Sequence, residues 1–262
     1  KAGSRLEAQV GAPLFHRTSR RLVLSESGTA LLEQAKAIVA AGEAAEEAAR
    51  DEASEPVGQI RLAAPMSYGI SRVAPLLSEF LCSHRGISID MHLSDARVDL
   101  IGERFDLALR IGALPDSSLR ARRLRGVKSY VLASPDYLAE NGEPRHPAQL
   151  GEHRCLSYSL SSNPESWRFT GPDGSEAVVR LSGPLRVNNG EAMLPALCAG
   201  LGIGTLPDFI CEKEIAAGRL NPILSDWKTP PIAIHIVTPP GSFRPRRVTA
   251  LIEFLAEKLS TA

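Results

Sequence analysis

The sequence lacks the features that mark membrane proteins and disulfide-stabilised secreted proteins. It contains no run of 18 or more apolar residues, so we predict no membrane-spanning helix. Its few cysteines lie far apart and form no C-x-x-C pair: Cys82, Cys155, Cys198 and Cys211. This spacing favours free thiols in a reducing compartment, so the expected location is the cytoplasm. Because the sequence starts at Lys1 rather than at a methionine, we expect a segment to precede it, and the missing signal peptide carries little weight.

Sequence patterns of catalysis, metal binding and phosphate binding are also missing. The histidines are scattered, no serine lies in G-x-S-x-G, and no Walker-type loop precedes a Lys-Ser or Lys-Thr pair. The glycine-rich residues 200–204 follow a predicted helix and precede a predicted strand, which is the reverse of the dinucleotide-binding order. We therefore interpret them as a helix C-cap, and we expect no catalytic residues, no metal and no cofactor. An α/β enzyme remains an alternative.

Charge is balanced overall but unevenly distributed along the chain. The 30 Lys and Arg residues match 30 Asp and Glu residues. Residues 1–24 carry five basic side chains against one acid, a net charge of +4, whereas residues 25–55 carry two basic side chains against eight acids, a net charge of −6. This division indicates contact with a polyanion at one end of the molecule.

The basic side chains near the start cluster in residues 16–21, His-Arg-Thr-Ser-Arg-Arg, at a predicted hairpin. Arginines beside short hydroxyl side chains suit phosphate contacts and entry into a narrow minor groove of DNA. A solvated charged face is the alternative, because composition alone does not separate the two.

Residues 25–55 predict a long helix that starts at the N-cap Ser25 and runs to about Arg50 without a proline. Its small and apolar residues follow a heptad spacing: Leu31, Ala35, Ile38, Gly42, Ala45 and Ala49. This seam indicates a helix that packs against a copy of itself in a homodimer. A solvated linker helix with a partly apolar face is the alternative.

From residue 57 onward, strand and helix patterns alternate, which predicts a mainly parallel sheet with helices on both faces. The predicted strands are Gln59–Ala63, Ile87–Leu93, Phe105–Ile111, Ser129–Ala133, Ala177–Val187, Ile203–Leu206, Leu220–Leu224 and Ile232–Val237. The predicted helices are Ile70–Cys82, Val98–Arg104, Glu191–Ala199, Phe209–Ala217 and Val248–Leu259. The polar segment 157–183 in the middle suggests two lobes.

Residues 4–28, SRLEAQVGAPLFHRTSRRLVLSESG, resemble the second half of the winged helix-turn-helix of LysR-type transcriptional regulators. The family pattern is Leu-Glu, Leu-Gly, Leu-Phe, Arg-Thr, Arg, Leu-Thr and Gly at these spacings, and Val10 and Ser25 stand where Leu and Thr are usual. Further segments resemble the family's effector-binding domain: residues 105–112, 133–138, 199–204, 206–207 and 218–220. Residues 116–119 and 187–192 are similar to one of its subgroups.

The resemblance implies an α/β fold with a two-lobed effector-binding domain like that of periplasmic binding proteins. This domain would span residues 57–262, with lobe I at about 57–128 and 229–262 and lobe II at about 129–228. Residues 1–24 would be a partial winged helix-turn-helix and residues 25–55 the linker helix through which the protein dimerises. The family also implies two crossover segments between the lobes and tetramers on DNA, with contact to RNA polymerase as a further partner.

The resemblance also implies the residues that contact double-stranded operator DNA. The tail of the recognition helix contributes Lys1 and Arg5, and the wing contributes Arg17, Arg20 and Arg21. The front half of the recognition helix is absent from the sequence, so we expect this chain to sense its ligand and dimerise but to bind operator DNA weakly and with little specificity.

The same resemblance implies an effector site at the carboxyl ends of the strands, where helix N-termini present free N–H groups. The candidate residues are Pro65, Met66, Ser67, Tyr68, Ser94, Asp95, Arg110, Tyr158, Asn188 and Asn189. Arg110 suits an anion through its planar guanidinium, although a structural pair with Asp106 or Asp116 is equally compatible with the sequence. We therefore predict that the effector is a small organic anion.

A free-standing periplasmic solute-binding protein would share the two-lobed domain and the missing catalytic groups. The basic wing and the heptad helix count against it, because a solute receptor needs neither.

Overall fold

The computed structural model describes residues 2–17, 22–49, 55–114, 118–161, 163–241 and 244–260. At the start of the chain, helix α1 (Ala2–Val10) precedes an antiparallel hairpin of β1 (Phe15–Arg17) and β2 (Leu22–Leu24). The Glu7 carboxylate accepts the backbone N–H groups of Leu14 at 2.9 Å and Phe15 at 3.1 Å, which fixes the helix against the hairpin. The helix end and hairpin predicted from the sequence are therefore present.

Helix α2 (Glu26–Ala49) follows directly and starts at the predicted cap. The Ser25 hydroxyl accepts the N–H of Gly28 at 3.0 Å, a bond that satisfies one of the free donors at the helix start. A side chain at Gly28 would overlap the carbonyl of Leu14, so this helix turn and the hairpin require a glycine at their contact. Further along α2, the side chains of Ile38 and Val39 are 72% and 61% exposed.

The first lobe is built on one five-stranded sheet. Its strands are β3 (Gly58–Ala64), β4 (Ile87–Leu93), β5 (Leu107–Gly112), β6 (Arg120–Val127) and β14 (Ile232–Thr238), in the spatial order β4-β3-β5-β14-β6. Strand β3 pairs in parallel with β4 and β5, whereas β14 pairs antiparallel with both of its neighbours.

The prediction of a mainly parallel sheet is therefore wrong for the β14 half of this sheet. The reason is the route of the chain, which leaves the first lobe through β6 and enters the second through β7 (Ser129–Ala133). The chain returns from the second lobe as β14. This strand therefore begins at the end of the sheet where β6 finishes, and it runs antiparallel to both β5 and β6.

Helices cover one face of this sheet. Helix α3 (Met66–Tyr68), a π-helical turn (Gly69–Val73) and α4 (Ala74–Ser83) form an unbroken helical run, and α8 (Arg246–Ser260) packs beside it. Their buried apolar side chains meet those of the central strands in one core, which includes Ile60, Leu62, Phe80, Ile234, Leu251 and Leu255. Each fully buried side chain of this size contributes about 1.5–3 kcal/mol to folding, so this core fixes the helical run against the carboxyl end of β3.

The second lobe has a smaller antiparallel sheet, β12 (Gly204–Pro207), β7 and β13 (Asn221–Ile223), in that order. The other strands of this lobe are β8 (Ser157–Tyr158), β9 (Ser166–Thr170), β10 (Glu176–Arg180) and β11 (Arg186–Val187). Its helices are α5 (Pro135–Asn141), α6 (Leu194–Cys198) and α7 (Asp208–Ala216), with 3₁₀ turns at Pro147–Glu152 and Glu191–Met193. Consecutive residues of β7 face two separate cores, which explains the continuous apolar run of this strand.

Two further predictions of secondary structure are corrected. The segment Val98–Arg104 is a turn rather than a helix, because the Asp99 carboxylate accepts the N–H groups of Ile101 and Gly102 and the chain passes through a left-handed residue at Arg104 (φ 58°). The predicted strand Ala177–Val187 is divided into β10 and β11, since Gly183 packs against the backbone of Cys155 between them.

Candidate functional site

The carboxyl end of β3 brings a helix start to the junction of the two lobes. Pro65 occupies the cap position before Met66 and supplies no side-chain hydrogen bond, so the first backbone donors of the helix are open to another acceptor. Ser67 lies in the first turn and is buried. The predicted effector contacts Pro65, Met66, Ser67 and Tyr68 therefore lie at this helix start.

Asp95 takes one of these donors. The backbone pairing of β3 with β4 continues one residue beyond the strands, where the N–H of Ser94 donates to the carbonyl of Ala64 at 3.0 Å. Asp95 is thereby held beside the helix start, and its Oδ1 accepts the N–H of Met66 at 2.9 Å. The Ser94 hydroxyl accepts the N–H of Ala96 at 3.2 Å.

Asn189 approaches from the second lobe and completes the group. Its Nδ2 donates to Oδ2 of Asp95 at 2.6 Å and to the hydroxyl of Ser67 at 3.1 Å. Its Oδ1 accepts the N–H of Glu191 at 2.9 Å, which sets the orientation of the amide. Asn189 therefore links the second lobe to two side chains of the first.

Tyr158 stands next to this group. Strand β8 pairs in parallel with β11 so that Tyr158 lies opposite Val187, two residues before Asn189. Burial, together with the negative charge of Asp95, raises the pKa of the Tyr158 phenol to about 12. The phenol is consequently a neutral hydroxyl at physiological pH, able to donate or accept a hydrogen bond.

Arg110 and Asn188 are candidates that the structure does not join to this group. The Arg110 guanidinium donates to the carbonyl of Val98 at 3.0 Å, and burial together with the charge of Arg97 lowers its pKa. In the described chain, no hydrogen bond or ion pair connects Arg110 to Ser67, Asp95 or Asn189.

Asp106 and Asp116 are the predicted structural partners of Arg110. Asp106 accepts the N–H of Arg61 at 2.7 Å, while Asp116 lies outside the described residues. Asn188 is exposed beside Asn189, and Met66 also exposes its side chain.

A second contact between the lobes was not anticipated from the sequence. The buried ring of Tyr68 packs edge-to-face on Phe209 of α7, with 5.1 Å between ring centroids. Arg125, at the end of β6, forms an ion pair with Asp208 at 3.7 Å. The Tyr68 hydroxyl and Arg125 Nε are both buried without a hydrogen-bond partner in the described structure. Burial raises the pKa of Tyr68, and the nearby charge of Arg125 partly opposes this rise.

In the sequence, the arginine-rich residues 120–125 are the feature that marks this contact. Because these residues show no alternation of apolar and polar side chains, strand β6 was not predicted from the sequence.

The residues predicted to contact DNA are only partly described. Arg5 lies exposed on α1, and Arg17 is the last residue of β1. Lys1, Arg20 and Arg21 lie outside the described residues.

The thiols, histidines and acidic groups of the described residues were candidates for a metal site. Within the described ranges, no cluster of three or more His, Cys, Asp or Glu side chains could hold a metal ion. The cysteines are free, and burial raises the pKa of Cys155 and of Cys211 to about 12. Over the same described residues, no helix has the length and apolar character needed to span a bilayer.

Comparison with known proteins identifies the family. The model of the LysR substrate binding domain matches residues 53–260. The chain is 38% identical over 258 residues to an HTH-type transcriptional regulator of Xanthomonas campestris pv. campestris (strain 8004). The aligned residues cover 97% of this chain and 75% of that protein.

Two solved structures share the fold. The virulence activator AphB of Vibrio cholerae, a member of the LTTR protein family, is 27% identical with a TM-score of 0.70, covering 98% of this chain and 87% of that chain. CrgA of Neisseria meningitidis, a LysR-type transcriptional regulator, is 30% identical with a TM-score of 0.68, again covering 98% and 87%. The chain therefore belongs to the LysR family of bacterial transcriptional regulators, and its two α/β lobes form the effector-binding domain of that family.

Proposed function

We propose that this regulator is controlled by a small organic anion bound between the two lobes, at the group formed by Ser67, Asp95, Tyr158 and Asn189. The observation that carries the proposal is the meeting of polar groups from both lobes at one helix start. A ligand seated there touches both lobes, and so its binding energy depends on their relative position. The complete candidate set is Pro65, Met66, Ser67, Tyr68, Ser94, Asp95, Arg110, Tyr158, Asn188 and Asn189.

The chemistry of the group supports an anionic ligand with polar substituents. The N–H of Met66 and the positive end of the helical run favour a carboxylate oxygen. The Ser67 hydroxyl, the neutral Tyr158 phenol and the Asn189 amide supply further donors around it. The charges of Arg72 and Arg125 act on the neighbouring Tyr68 to lower its pKa, and the negative charge of Asp208 acts in the opposite direction.

Thermal unfolding of the complete chain against a panel of small carboxylates, amines and neutral polyols tests this proposal. We expect stabilisation by one or more carboxylates, with an increase in Tm that grows with concentration as mass action requires. Ser67→Ala removes a hydroxyl from the site and should reduce this increase. Ser83→Ala removes a hydroxyl at the far end of α4 and serves as the control. Stabilisation by neutral or cationic compounds alone would overturn the proposed ligand class.

The remaining parts of the proposal concern DNA and assembly. Residues 1–24 contact operator DNA through Lys1, Arg5, Arg17, Arg20 and Arg21, residues 25–55 dimerise, and residues 57–262 sense the effector. The exposed Ile38 supports a partner helix on the heptad seam. A dimer of such dimers gives the proposed tetramer, RNA polymerase is the proposed further partner, and the cytoplasm is the compartment in which a bacterial regulator meets both.

Gel-shift titration across salt concentrations tests the wing. In a protein that carries the whole recognition helix, Arg20→Ala and Arg21→Ala should each weaken operator binding and lower the slope of log K against log[salt] by about one. Equal affinity at every salt concentration would remove these residues from the DNA contact.

A further inference from the structure

The position at which the proposed effector would place its carboxylate is already filled by a carboxylate of the protein. The N–H of Met66, the first donor of the helical run, is bound by Oδ1 of Asp95 at 2.9 Å. A carboxylate beside a helix start is the arrangement that an anionic ligand would also adopt. This inference rests on the proposed function, because it concerns the same cleft.

The second oxygen of Asp95 binds the other lobe. Oδ2 accepts Nδ2 of Asn189 at 2.6 Å, a short distance that fits a charge-assisted hydrogen bond. The Asn189 amide cannot turn its oxygen toward Asp95 without losing its bond to the N–H of Glu191. Asp95 thus uses one oxygen for each lobe, as a bound dicarboxylate or monocarboxylate effector would.

We propose that Asp95 is an internal ligand of the cleft, which bridges the lobes through Met66 and Asn189 until an anionic effector displaces it. The exchange replaces one carboxylate by another at the same donors and involves no covalent step. Both carboxylates cannot occupy the site together, because two like charges at these distances repel each other and compete for the same N–H groups. Displacement also releases the Asp95–Asn189 bond, which is a direct link between the lobes.

Adding formate to an Asp95→Ala variant of the complete chain tests the proposal. Asp95→Ala removes the carboxylate and leaves a space that matches formate. We expect sodium formate to raise the Tm of Asp95→Ala, in comparison with sodium chloride at the same ionic strength, and to leave the wild type unchanged. Asp90→Ala is the matched control, since it removes a carboxylate of β4 that pairs with Arg61 away from the cleft. Equal responses of wild type and Asp95→Ala, or no response in Asp95→Ala, would show that Asp95 does not occupy a site for free carboxylates.

Asp95→Asn keeps the proposal testable if the alanine variant does not fold. Asparagine retains an acceptor for Met66 but turns an NH₂ group toward the NH₂ group of Asn189, and it removes the competing charge. Any carboxylate that stabilises the wild type should then bind Asp95→Asn about 10- to 100-fold more tightly, the range given by one charge-assisted hydrogen bond.

The two proposals fail in different ways in this experiment. A carboxylate that binds wild type and Asp95→Asn with the same Kd would refute the role of Asp95 while supporting an anionic effector. Absence of carboxylate binding to wild type and to both Asp95 variants would refute the anionic effector itself.

Discussion

Replacing Asp208 with asparagine tests whether the ion pair with Arg125 stabilises the junction between the lobes. Asparagine has nearly the same shape as aspartate and keeps an oxygen for the N–H of Phe209, which Asp208 accepts at 2.7 Å. The change therefore removes the negative charge with little effect on packing, and it also removes the long hydrogen bond that Oδ2 accepts from the N–H of Lys128 at 3.4 Å. What remains is the Arg125 guanidinium, whose Nε already lies buried without a hydrogen-bond partner in the described structure.

The expected loss of stability follows from the burial and distance of the pair. The side chains of Arg125 and Asp208 are only 19% and 14% exposed, with 3.7 Å between Nη1 and Oδ2. Removing one partner of a fully buried pair costs about 3–5 kcal/mol, because the remaining charge stays desolvated. Since both side chains keep some contact with water and the distance exceeds that of a hydrogen bond, we expect about 2 kcal/mol. For a folded region of this size, this corresponds to a decrease in Tm of about 4–8 °C.

Urea unfolding followed by circular dichroism measures this cost directly. Glu212→Gln is the matched control, because it breaks the neighbouring Arg72–Glu212 pair at 3.4 Å, whose partners are largely exposed, and should cost less than about 0.5 kcal/mol. Asp208→Asn introduced into Arg125→Met should also cost much less than in the wild type, since no buried charge is then left behind. If Asp208→Asn and Glu212→Gln destabilise the protein equally, the buried charge is not what holds this junction.

Three further predictions address backbone packing, assembly and titration. Gly183→Ala should cost about 2–3 kcal/mol in urea unfolding because its side chain would overlap neighbouring backbone, whereas Gly151→Ala, which faces open space, should change stability by less than about 0.5 kcal/mol. Ile38→Glu on the heptad seam should abolish dimers in analytical ultracentrifugation while the adjacent Val39→Glu preserves them; equal effects would contradict the seam. Because folding raises the pKa of Tyr158 from 10.0 to about 12, the folded state holds its proton longer than the unfolded chain, and stability should fall between pH 10 and 12. Tyr158→Phe should reduce that slope, and an unchanged slope would contradict the assignment.

The elements that were predicted well from the sequence are those with a strong local pattern. The alternation of apolar residues in Ile87–Leu93 matches β4 at both ends, and the apolar run Ser129–Ala133 matches β7. The Ser25 cap placed the start of α2 correctly because its hydrogen bond is local. The predicted helix Ile70–Cys82 began too late, since its first turn buries Ser67 and Tyr68 at the lobe junction rather than on a regular apolar face.

The features that the sequence did not reveal depend on contacts distant along the chain. The direction of β14 follows from the return path out of the second lobe, which no local pattern records. From the sequence, Asp95 of the first lobe and Asn189 of the second lobe were both predicted as ligand contacts. The sequence could not show that they would bind each other, because that bond joins residues of different lobes.

The Ser67–Asn189 and Tyr68–Phe209 contacts between the lobes share one rigid element. Ser67 meets Asn189, and the next residue, Tyr68, meets Phe209, so adjacent positions of one helix turn touch two different segments of the second lobe. This turn is fixed to the first lobe by the core around Tyr68. A shift of Asn189 relative to Ser67 therefore requires a shift of the second lobe that also moves Phe209 across the Tyr68 ring. Since packed aromatic surfaces change between discrete arrangements rather than deform gradually, we expect displacement of Asp95 and rearrangement of the Tyr68–Phe209 contact to occur together. On this basis Asp208→Asn should weaken the Tyr68–Phe209 contact and lower the Kd of a displacing carboxylate in isothermal titration calorimetry, whereas a Kd equal to that of the wild type would show that the two contacts rearrange independently.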